Sequence, residues 1–141
     1  MPAGELGATW TSPREALTAE ADILVPAALG GILTADVVPE LRCAAIAGPA
    51  NNQLAAEPVA DLLHERGIVW VPDYVVSAGG VINALAVELR HETPEEARVH
   101  VEAIERTVTE LLHEAGRRNV TPARAAKELA RRRLEAARPV T

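Results

Sequence analysis

Residues 44–54 have the sequence Ala-Ala-Ile-Ala-Gly-Pro-Ala-Asn-Asn-Gln-Leu, and residues 68–83 have the sequence Ile-Val-Trp-Val-Pro-Asp-Tyr-Val-Val-Ser-Ala-Gly-Gly-Val-Ile-Asn. Each stretch begins with four apolar residues and continues into a polar turn that contains glycine. In α/β folds, ligands bind in the crevice beyond the carboxyl ends of parallel strands. The two turns are therefore predicted to form one binding site from two loops.

The first 80 residues alternate between short apolar runs and helical patterns, which is typical of parallel strands joined by crossover helices. Ser12 is a natural N-cap before Pro13, and Glu15 completes a capping box three residues later. Gly67 is a natural helix stop. The pattern predicts strands at 7–11, 22–26, 44–47 and 68–71, helices at 13–19 and 53–66, and a short turn or helix at 34–38.

After Gly80 the pattern becomes helical throughout. Apolar residues continue over 81–89, Thr93-Pro94 begins a helix that ends near Gly116, and Thr121-Pro122 begins another. The run Arg131-Arg132-Arg133 is compatible with a nucleic-acid patch, but a solvated helix face near the negative end of the helix dipole is the better interpretation. The predicted fold class is α/β, with an incomplete doubly wound parallel sheet of three or four strands followed by C-terminal helices.

Size and composition restrict the function classes. At 141 residues the chain is at most one domain, and its net charge of −6 argues against non-specific nucleic-acid binding. The single Cys43 allows neither a disulfide nor a cysteine metal pair within the chain. The sequence contains no signal-peptide pattern and no apolar run long enough to span a bilayer, so we expect a cytoplasmic protein without a membrane partner.

Motifs for phosphate binding and acid–base catalysis are missing from the sequence. It has neither the G-x-G-x-x-G motif nor the Walker A motif, and its four histidines are scattered. The one lysine, Lys127, falls on the last predicted helix without a pocket that would lower its pKa. Asp73 is the best-placed acid because it ends a strand beside Gly79-Gly80, although helix capping also explains it. We therefore assign no catalytic residue and no metal ligand.

Amide and hydroxyl side chains gather at the predicted strand ends, where they are Asn51, Asn52, Ser77 and Asn83. An amide offers both a donor and an acceptor, which suits a carboxamide or a ribose hydroxyl. Glycines at these turns let the backbone approach a ligand closely. A turn with no ligand remains the alternative for residues 48–52. The spacing indicates a ligand crevice and does not identify the ligand.

Three stretches resemble the glutamate/leucine/phenylalanine/valine dehydrogenases, most closely the NAD-dependent leucine, valine and phenylalanine branch. They are residues 21–31 (Ala-Asp-Ile-Leu-Val-Pro-Ala-Ala-Leu-Gly-Gly), residues 46–54 and residues 72–83, in the order and spacing of that family. The resemblance extends from about residue 7 to residue 137. It implies a Rossmann-like sheet and the oxidative deamination of a branched-chain or aromatic L-amino acid to its 2-oxo acid, with reduction of NAD.

The resemblance also implies roles for particular residues. The cofactor-binding residues are expected to be Pro26, Ala27, Ala28, Asn51 and Asn52. The substrate pocket is expected to contain Ser77, Gly79, Gly80, Val81 and Ala84. Apolar side chains at the last two positions disfavour glutamate, whose buried carboxylate would lack a partner. The family typically has asparagine where this chain has Ser77, so the contact of that asparagine is not carried over.

Other parts of the family's proteins have no counterpart in these residues: the substrate domain with its catalytic lysines and aspartate, and the glycine-rich βαβ unit that binds the pyrophosphate. Residues 1–80 match the second half of the NAD(P)-binding domain, and residues 81–141 match its C-terminal helical segment. We expect the chain to be inactive alone and to act with a missing N-terminal polypeptide or in a homo-oligomer. The alternatives are a non-catalytic interaction module derived from such an enzyme and an adventitious nucleotide binder.

Overall fold

The structure, a computed structural model, describes residue 4 and residues 7–137. Its centre is a parallel sheet of three short strands in chain order: β1 (Ile23–Leu24), β2 (Ala45–Ile46) and β3 (Val69–Trp70). In the register of the sheet, Ile23 lies beside Ala45 and Ala45 lies beside Val69. The predicted fold class is confirmed: an α/β protein with a parallel sheet followed by helices.

The helices follow the strands along the chain and continue beyond the sheet. Those before residue 90 are short, whereas the last two form a long antiparallel pair. In chain order the helices are α1 (Pro13–Leu17), a 3₁₀ turn (Val38–Glu40), α2 (Val59–Glu65), α3 (Asp73–Val76), α4 (Gly79–Ala84) with a π-helical turn (Leu85–Leu89), α5 (Pro94–Arg118) and α6 (Pro122–Ala136).

One face of the sheet forms the main core. Ile46 and Trp70 point to this face and are buried together with Val59 and Leu63 of α2. Burying a side chain of this size contributes roughly 1.5–3 kcal/mol. Because neighbouring residues on a strand point to opposite faces, Val69 lies on the other face, where it is exposed.

Capping residues fix where two helices begin. The Ser12 hydroxyl accepts a hydrogen bond from the backbone N–H of Glu15, whose carboxylate accepts from the Ser12 backbone N–H in return, so the predicted capping box is confirmed. Hydrogen bonds from the Ser12 hydroxyl and backbone and from Thr11 lower the pKa of Glu15 to about 2. Thr93 and Glu96 form the same reciprocal pair at the start of α5.

Small side chains join the C-terminal helices. Leu111 and Ala115 of α5 are buried against Ala125 and Ala126 of α6. Between the two helices, Asn119 adopts a left-handed conformation with φ of 50°, which ends α5 and turns the chain. Three of these four buried residues are alanines, and an ion pair between Arg118 and Glu128 also joins the two helices.

Two sequence-based boundaries were wrong. Residues 7–11 form no strand: their side chains are exposed and no neighbouring strand is present in the described part of the chain to pair with them. The helix predicted from residue 53 begins only at Val59, because the Gln53 side chain donates to carbonyls of the preceding loop and its backbone N–H donates to the Asp73 carboxylate. The strands at 22–26, 44–47 and 68–71 are present but shorter than predicted.

Within the described residues, the helices are all too short or too polar to cross a bilayer.

Two glycine-to-alanine changes should have opposite effects on stability. A Cβ on Gly48 would lie 2.6 Å from the Pro26 nitrogen and closer still to the Pro26 carbonyl oxygen, so Gly48→Ala forces backbone apart. We expect it to lower the free energy of unfolding by about 1–3 kcal/mol. Gly116→Ala, on an exposed part of α5 with no atom within 4 Å, should raise it by up to about 1 kcal/mol.

Urea unfolding followed by circular dichroism measures both changes. Equal stabilities of the Gly48→Ala variant and the unchanged protein would contradict the close approach of these two loops.

Candidate functional site

Three loops leave the carboxyl ends of the parallel strands and meet at one edge of the sheet. We call them loop A (residues 26–31, after β1), loop B (residues 48–53, after β2) and loop C (residues 72–78, after β3, which contains the short helix α3). The backbone N–H of Ala50 donates to Pro26 O at 3.0 Å, and the N–H of Gly31 donates to Asn52 O at 2.7 Å. Loops A and B are therefore joined directly through their backbones.

The two glycines in these loops permit that approach. A Cβ on Gly30 would lie 2.6 Å from Asn51 O, and one on Gly48 would collide with Pro26. Asn52 has a φ of 54°, a left-handed conformation that asparagine tolerates better than most residues. The sequence of loop B, with its glycine and two asparagines, thus fits a sharp turn pressed against loop A.

A fully buried glutamine holds loop B in shape. Gln53 Nε2 donates to Gly48 O at 2.8 Å and to Ala50 O at 2.9 Å, and Trp70 Nε1 donates to Gln53 Oε1 at 3.1 Å. The single amide therefore satisfies two loop carbonyls and the indole N–H of β3. Each of these groups would otherwise be buried without a partner.

Asp73 connects loop C to loop B. Its side chain is buried, and Oδ2 accepts a hydrogen bond from the backbone N–H of Gln53 at 2.8 Å. The sequence suggested that Asp73 is either a catalytic acid or a helix N-cap, and this hydrogen bond corresponds to neither role. Pro72 occupies the N-cap position of α3, and Asp73 is the first residue of that helix. Burial and the neighbouring Asp73 carboxylate raise the pKa of the Tyr74 phenol.

Ser77 lies at the junction between loops B and C. Its hydroxyl is 2.7 Å from Asp73 O and 3.0 Å from Asn51 Oδ1, so its one proton serves one of these acceptors at a time. The structure therefore brings Asn51 and Ser77 together, as expected if the two turns flank one crevice. The Ser77 side chain is shorter than the asparagine expected at this position, and it contacts loop B in this arrangement.

The residues proposed for the cofactor occupy loops A and B. Pro26 is buried between the loops, whereas Ala27 and Ala28 are exposed, as are Asn51 and Asn52. The exposed members are accessible to a ligand at the carboxyl edge of the sheet. Pro26 contributes its carbonyl oxygen to the bond with Ala50.

The residues proposed for the substrate pocket follow Ser77 along loop C and α4. Gly79 faces α5, where an added Cβ would lie 3.4 Å from a methyl group of Val101, so it has a packing role there. Gly80 and Val81 are exposed, and Ala84 is half-buried one helical turn after Val81. Val81 and Ala84 thus share one side of α4, as residues three apart do.

Titratable groups do not form a metal-binding cluster in the described part of the chain. Nowhere among residues 7–137 do three His, Cys, Asp or Glu side chains come together as metal ligands. Lys127 is 60 % exposed on α6 and forms an ion pair with Glu57. His100 Nε2 lies 2.9 Å from Glu92 Oε2, between the end of the π-helical turn and α5.

Sequence reasoning missed Gln53 as the residue that organises the site. A signal was available, because a tryptophan in a buried strand needs an acceptor for its indole N–H. Gln53 is the only glutamine in the sequence and is the last residue of loop B, between two strands, which makes it the natural acceptor. The sequence contains no comparable signal for the hydrogen bond that the Asp73 carboxylate accepts from the backbone N–H of Gln53.

Comparison with known proteins identifies the class to which this sequence and fold correspond. Residues 4–140 match the family model for Glutamate/Leucine/Phenylalanine/Valine dehydrogenase. The chain is 41 % identical over 130 residues to the leucine dehydrogenase of Bacillus cereus, which covers 92 % of this chain and 35 % of that protein. It is 39 % identical over 129 residues to the L-tryptophan dehydrogenase of Nostoc punctiforme, covering 91 % of this chain and 36 % of that protein.

Solved structures agree with these relatives. The crystal structure of L-tryptophan dehydrogenase from Nostoc punctiforme superposes with a TM-score of 0.88 at 38 % identity, covering 95 % of this chain and 41 % of that chain. The hetero-hexameric glutamate dehydrogenase from Thermus thermophilus, in its Leu-bound form, gives a TM-score of 0.72 at 28 % identity over 99 % of this chain and 36 % of that one.

This chain belongs to the glutamate/leucine/phenylalanine/valine dehydrogenase family. The family resemblance that the three sequence stretches indicated is confirmed, and the relatives named above are leucine, tryptophan and glutamate dehydrogenases. The chain spans about 35 % of the length of the curated leucine dehydrogenases that it matches.

The Gln53 amide should be essential for stability. Gln53→Leu keeps a side chain of similar length but leaves Gly48 O, Ala50 O and the Trp70 indole N–H without their partner. Since a buried unsatisfied group costs about 1–3 kcal/mol, we expect the free energy of unfolding to fall by about 3 kcal/mol or more.

Asn83→Leu is the matched control, because it makes the same kind of amide-to-leucine change at an exposed position of α4. It should stay within about 0.5 kcal/mol of the unchanged protein. Similar losses from the two variants in urea unfolding would show that Gln53 has no special role.

Proposed function

We propose that this chain is the NAD-binding portion of an amino-acid dehydrogenase that oxidatively deaminates a branched-chain or aromatic L-amino acid to its 2-oxo acid. In this proposal residues 1–80 are the second half of the NAD(P)-binding domain, and residues 81–141 are its C-terminal helical segment. The observation that carries the proposal is the junction of loops A, B and C at the carboxyl edge of the sheet, where Asn51 meets Ser77 at 3.0 Å.

The chemistry of loops A and B supports a role for them at the nicotinamide end of NAD. The exposed amides of Asn51 and Asn52 offer donors and acceptors suited to a carboxamide or a ribose hydroxyl. Ala27 and Ala28 have small side chains, so their backbone groups remain accessible. Bound NAD would supply the hydride acceptor, while these residues would orient the nicotinamide against the substrate.

The chemistry of α4 supports an apolar substrate side chain. Val81 and Ala84 present apolar groups on one side of this helix, next to Gly80 and downstream of Ser77. A glutamate side chain buried there would bring a carboxylate without a cationic partner, which is costly. Apolar contact favours a branched or aromatic side chain instead.

Proton transfer is expected to depend on groups outside this chain. Deamination needs a base of suitably lowered pKa, and burial is the usual means of lowering the pKa of a lysine. The only lysine of the sequence, Lys127, is 60 % exposed on α6 and paired with Glu57, so it does not lie in a buried environment of that kind. We therefore infer that the chain works together with a polypeptide that carries the substrate domain, or within a homo-oligomer.

The activity can be tested in a chimera in which this chain replaces the matching third of Bacillus cereus leucine dehydrogenase. We expect the chimera to form NADH with leucine, valine or phenylalanine and to prefer these to glutamate, as followed by absorbance at 340 nm. The chain alone should show no turnover. Amino-acid-dependent NADH formation by the purified chain, or a folded chimera that lacks activity, would contradict the proposal.

Two substitutions at Asn52 separate its side-chain role from its backbone role. Asn52→Gly removes the amide but tolerates the φ of 54°, whereas Asn52→Ala also introduces strain of about 1–2 kcal/mol. NADH should raise the Tm of both variants less than it raises that of the unchanged protein, and by a similar amount, because both variants lose the amide. Only Asn52→Ala should lower the Tm without NADH.

Asn119→Gly is the control for this pair, since Asn119 has a similar φ of 50° between α5 and α6. It should leave the NADH effect unchanged. If Asn52→Gly binds NADH as well as the unchanged protein does, the Asn52 amide is not part of the cofactor site.

A further inference from the structure

The Asn51 side chain is exposed, yet it is held at both its base and its tip. The residues on either side of it are bonded to the backbone of loop A, Ala50 through its N–H and Asn52 through its carbonyl. At the tip, Asn51 Oδ1 lies 3.0 Å from the Ser77 hydroxyl of loop C. The position of this amide is therefore fixed by contacts with both neighbouring loops.

Ser77 makes this contact from a fixed position of its own. It is the C-cap of α3, and its backbone N–H donates to Asp73 O at 2.8 Å. The Asp73 carboxylate in turn accepts from the backbone N–H of Gln53, so a buried hydrogen bond also joins the start of α3 to loop B. The distance between the Ser77 hydroxyl and Asn51 Oδ1 is thus set by buried contacts beside it.

The hydroxyl proton of Ser77 determines which way the Asn51 amide faces. Asp73 O already accepts from the Ser77 backbone N–H, so it has a donor without the hydroxyl. The structure places Oδ1 of Asn51, rather than Nδ2, against that hydroxyl. Because the oxygen and nitrogen of a side-chain amide point in different directions, Nδ2 and its two protons face away from Ser77.

Asn52 provides a contrast within the same loop. Its backbone is fixed in the left-handed conformation, but a backbone angle does not set the direction of a side-chain amide. Of the two asparagines in loop B, Asn51 is the one whose side chain is hydrogen-bonded among the described residues. Only the Asn51 amide therefore has its orientation set before a ligand arrives.

We propose that Ser77 is a positioning residue, which orients the Asn51 amide so that Nδ2 donates to the carboxamide oxygen of the nicotinamide ring. The inference rests on the proposed function, in which Asn51 contacts the nicotinamide end of NAD, and it specifies the atom that is recognised. A side chain already held in its binding orientation loses less conformational freedom when the ligand binds, so the contact contributes more to affinity. Ser77 has this effect through Asn51 and does not touch the cofactor itself.

The orienting contact can be tested without cofactor by nitrogen-15 NMR of the full chain. The sequence has four asparagines and one glutamine, so few side-chain NH₂ signals need to be assigned. We expect the Asn51 NH₂ group to be more ordered than that of Asn52. Ser77→Ala should lower the order parameter of Asn51 below about 0.6, the range of flexible groups. Ser77→Thr keeps the hydroxyl and should preserve the order.

Cofactor binding tests the direction of the contact. In the thionicotinamide analogue of NADH a sulfur, which is a weak acceptor, replaces the carboxamide oxygen. Isothermal titration calorimetry should show that the unchanged chain binds NADH about threefold to tenfold more tightly than this analogue, as expected for one hydrogen bond. Ser77→Ala should remove most of the preference by weakening NADH binding, and Ser77→Thr should retain it.

Thr109→Ala is the matched control for Ser77→Ala. The Thr109 hydroxyl also donates to the carbonyl four residues earlier, Glu105 O at 2.9 Å, but it lies on the exposed side of α5. This variant should change neither the order of the Asn51 amide nor the preference for NADH.

Three results would overturn the proposal. They are an Asn51 amide that is equally mobile with and without the Ser77 hydroxyl, a preference for NADH that Ser77→Ala leaves intact, and equal binding of NADH and its thio analogue by the unchanged chain. Failure of the proposed function would look different. An ordered Asn51 amide in a chain that binds no NADH keeps the orienting contact and removes the cofactor role. NADH binding with an Asn51 amide indifferent to Ser77→Ala keeps the cofactor role and removes this inference.

Discussion

The hydrogen bonds of the Gln53 side chain are the constraint on which the rest of the site depends. The amide is fully buried and binds Gly48 O and Ala50 O on one side and the Trp70 indole N–H on the other. These contacts set the shape of the loop after β2 and tie it to the interior of β3. With Asp73 bound to the Gln53 backbone N–H, the loop after β3 takes its position from the same residue. Removing this amide would leave buried polar groups without hydrogen-bond partners both in the loop after β2 and in β3.

The arrangement explains how strands of two residues each support a defined site. Such short strands supply few ladder hydrogen bonds, so the loops beyond them must be fixed by other means. Backbone bonds between the loops after β1 and β2 provide part of this, and Gly48 provides the close approach that makes them possible. The buried amide of Gln53 and the buried carboxylate of Asp73 provide the other contacts that fix the loops. The carboxyl edge of the sheet is consequently a connected unit rather than three independent turns.

Sequence patterns predicted the parts of the fold that local chemistry determines. Capping at Ser12 and the alternation of apolar runs with helical segments gave the parallel sheet, its order of elements and the start of α1. The patterns failed where tertiary contacts decide. Residues 7–11 alternate like a strand but have no partner strand among the described residues, and Gln53 is drawn out of its predicted helix by bonds to Trp70 and Asp73. The meeting of Asn51 with Ser77 was predictable from strand ends, whereas its dependence on a buried glutamine was not.

If α4 forms the proposed substrate pocket, the separation between this hydrogen-bonded frame and the exposed side of α4 has a consequence for how specificity can evolve. Loops A and B are held mainly by backbone groups and buried side chains, while Val81 extends from α4 into solvent at 59 % exposure. Substitutions at an exposed position usually change stability by no more than about 0.5 kcal/mol. Substitutions at Val81 can therefore accumulate during evolution without disturbing Gln53 or the loop contacts around it. Under the proposed function, relatives named for leucine and for tryptophan are the kind of diversity that this division of the structure permits.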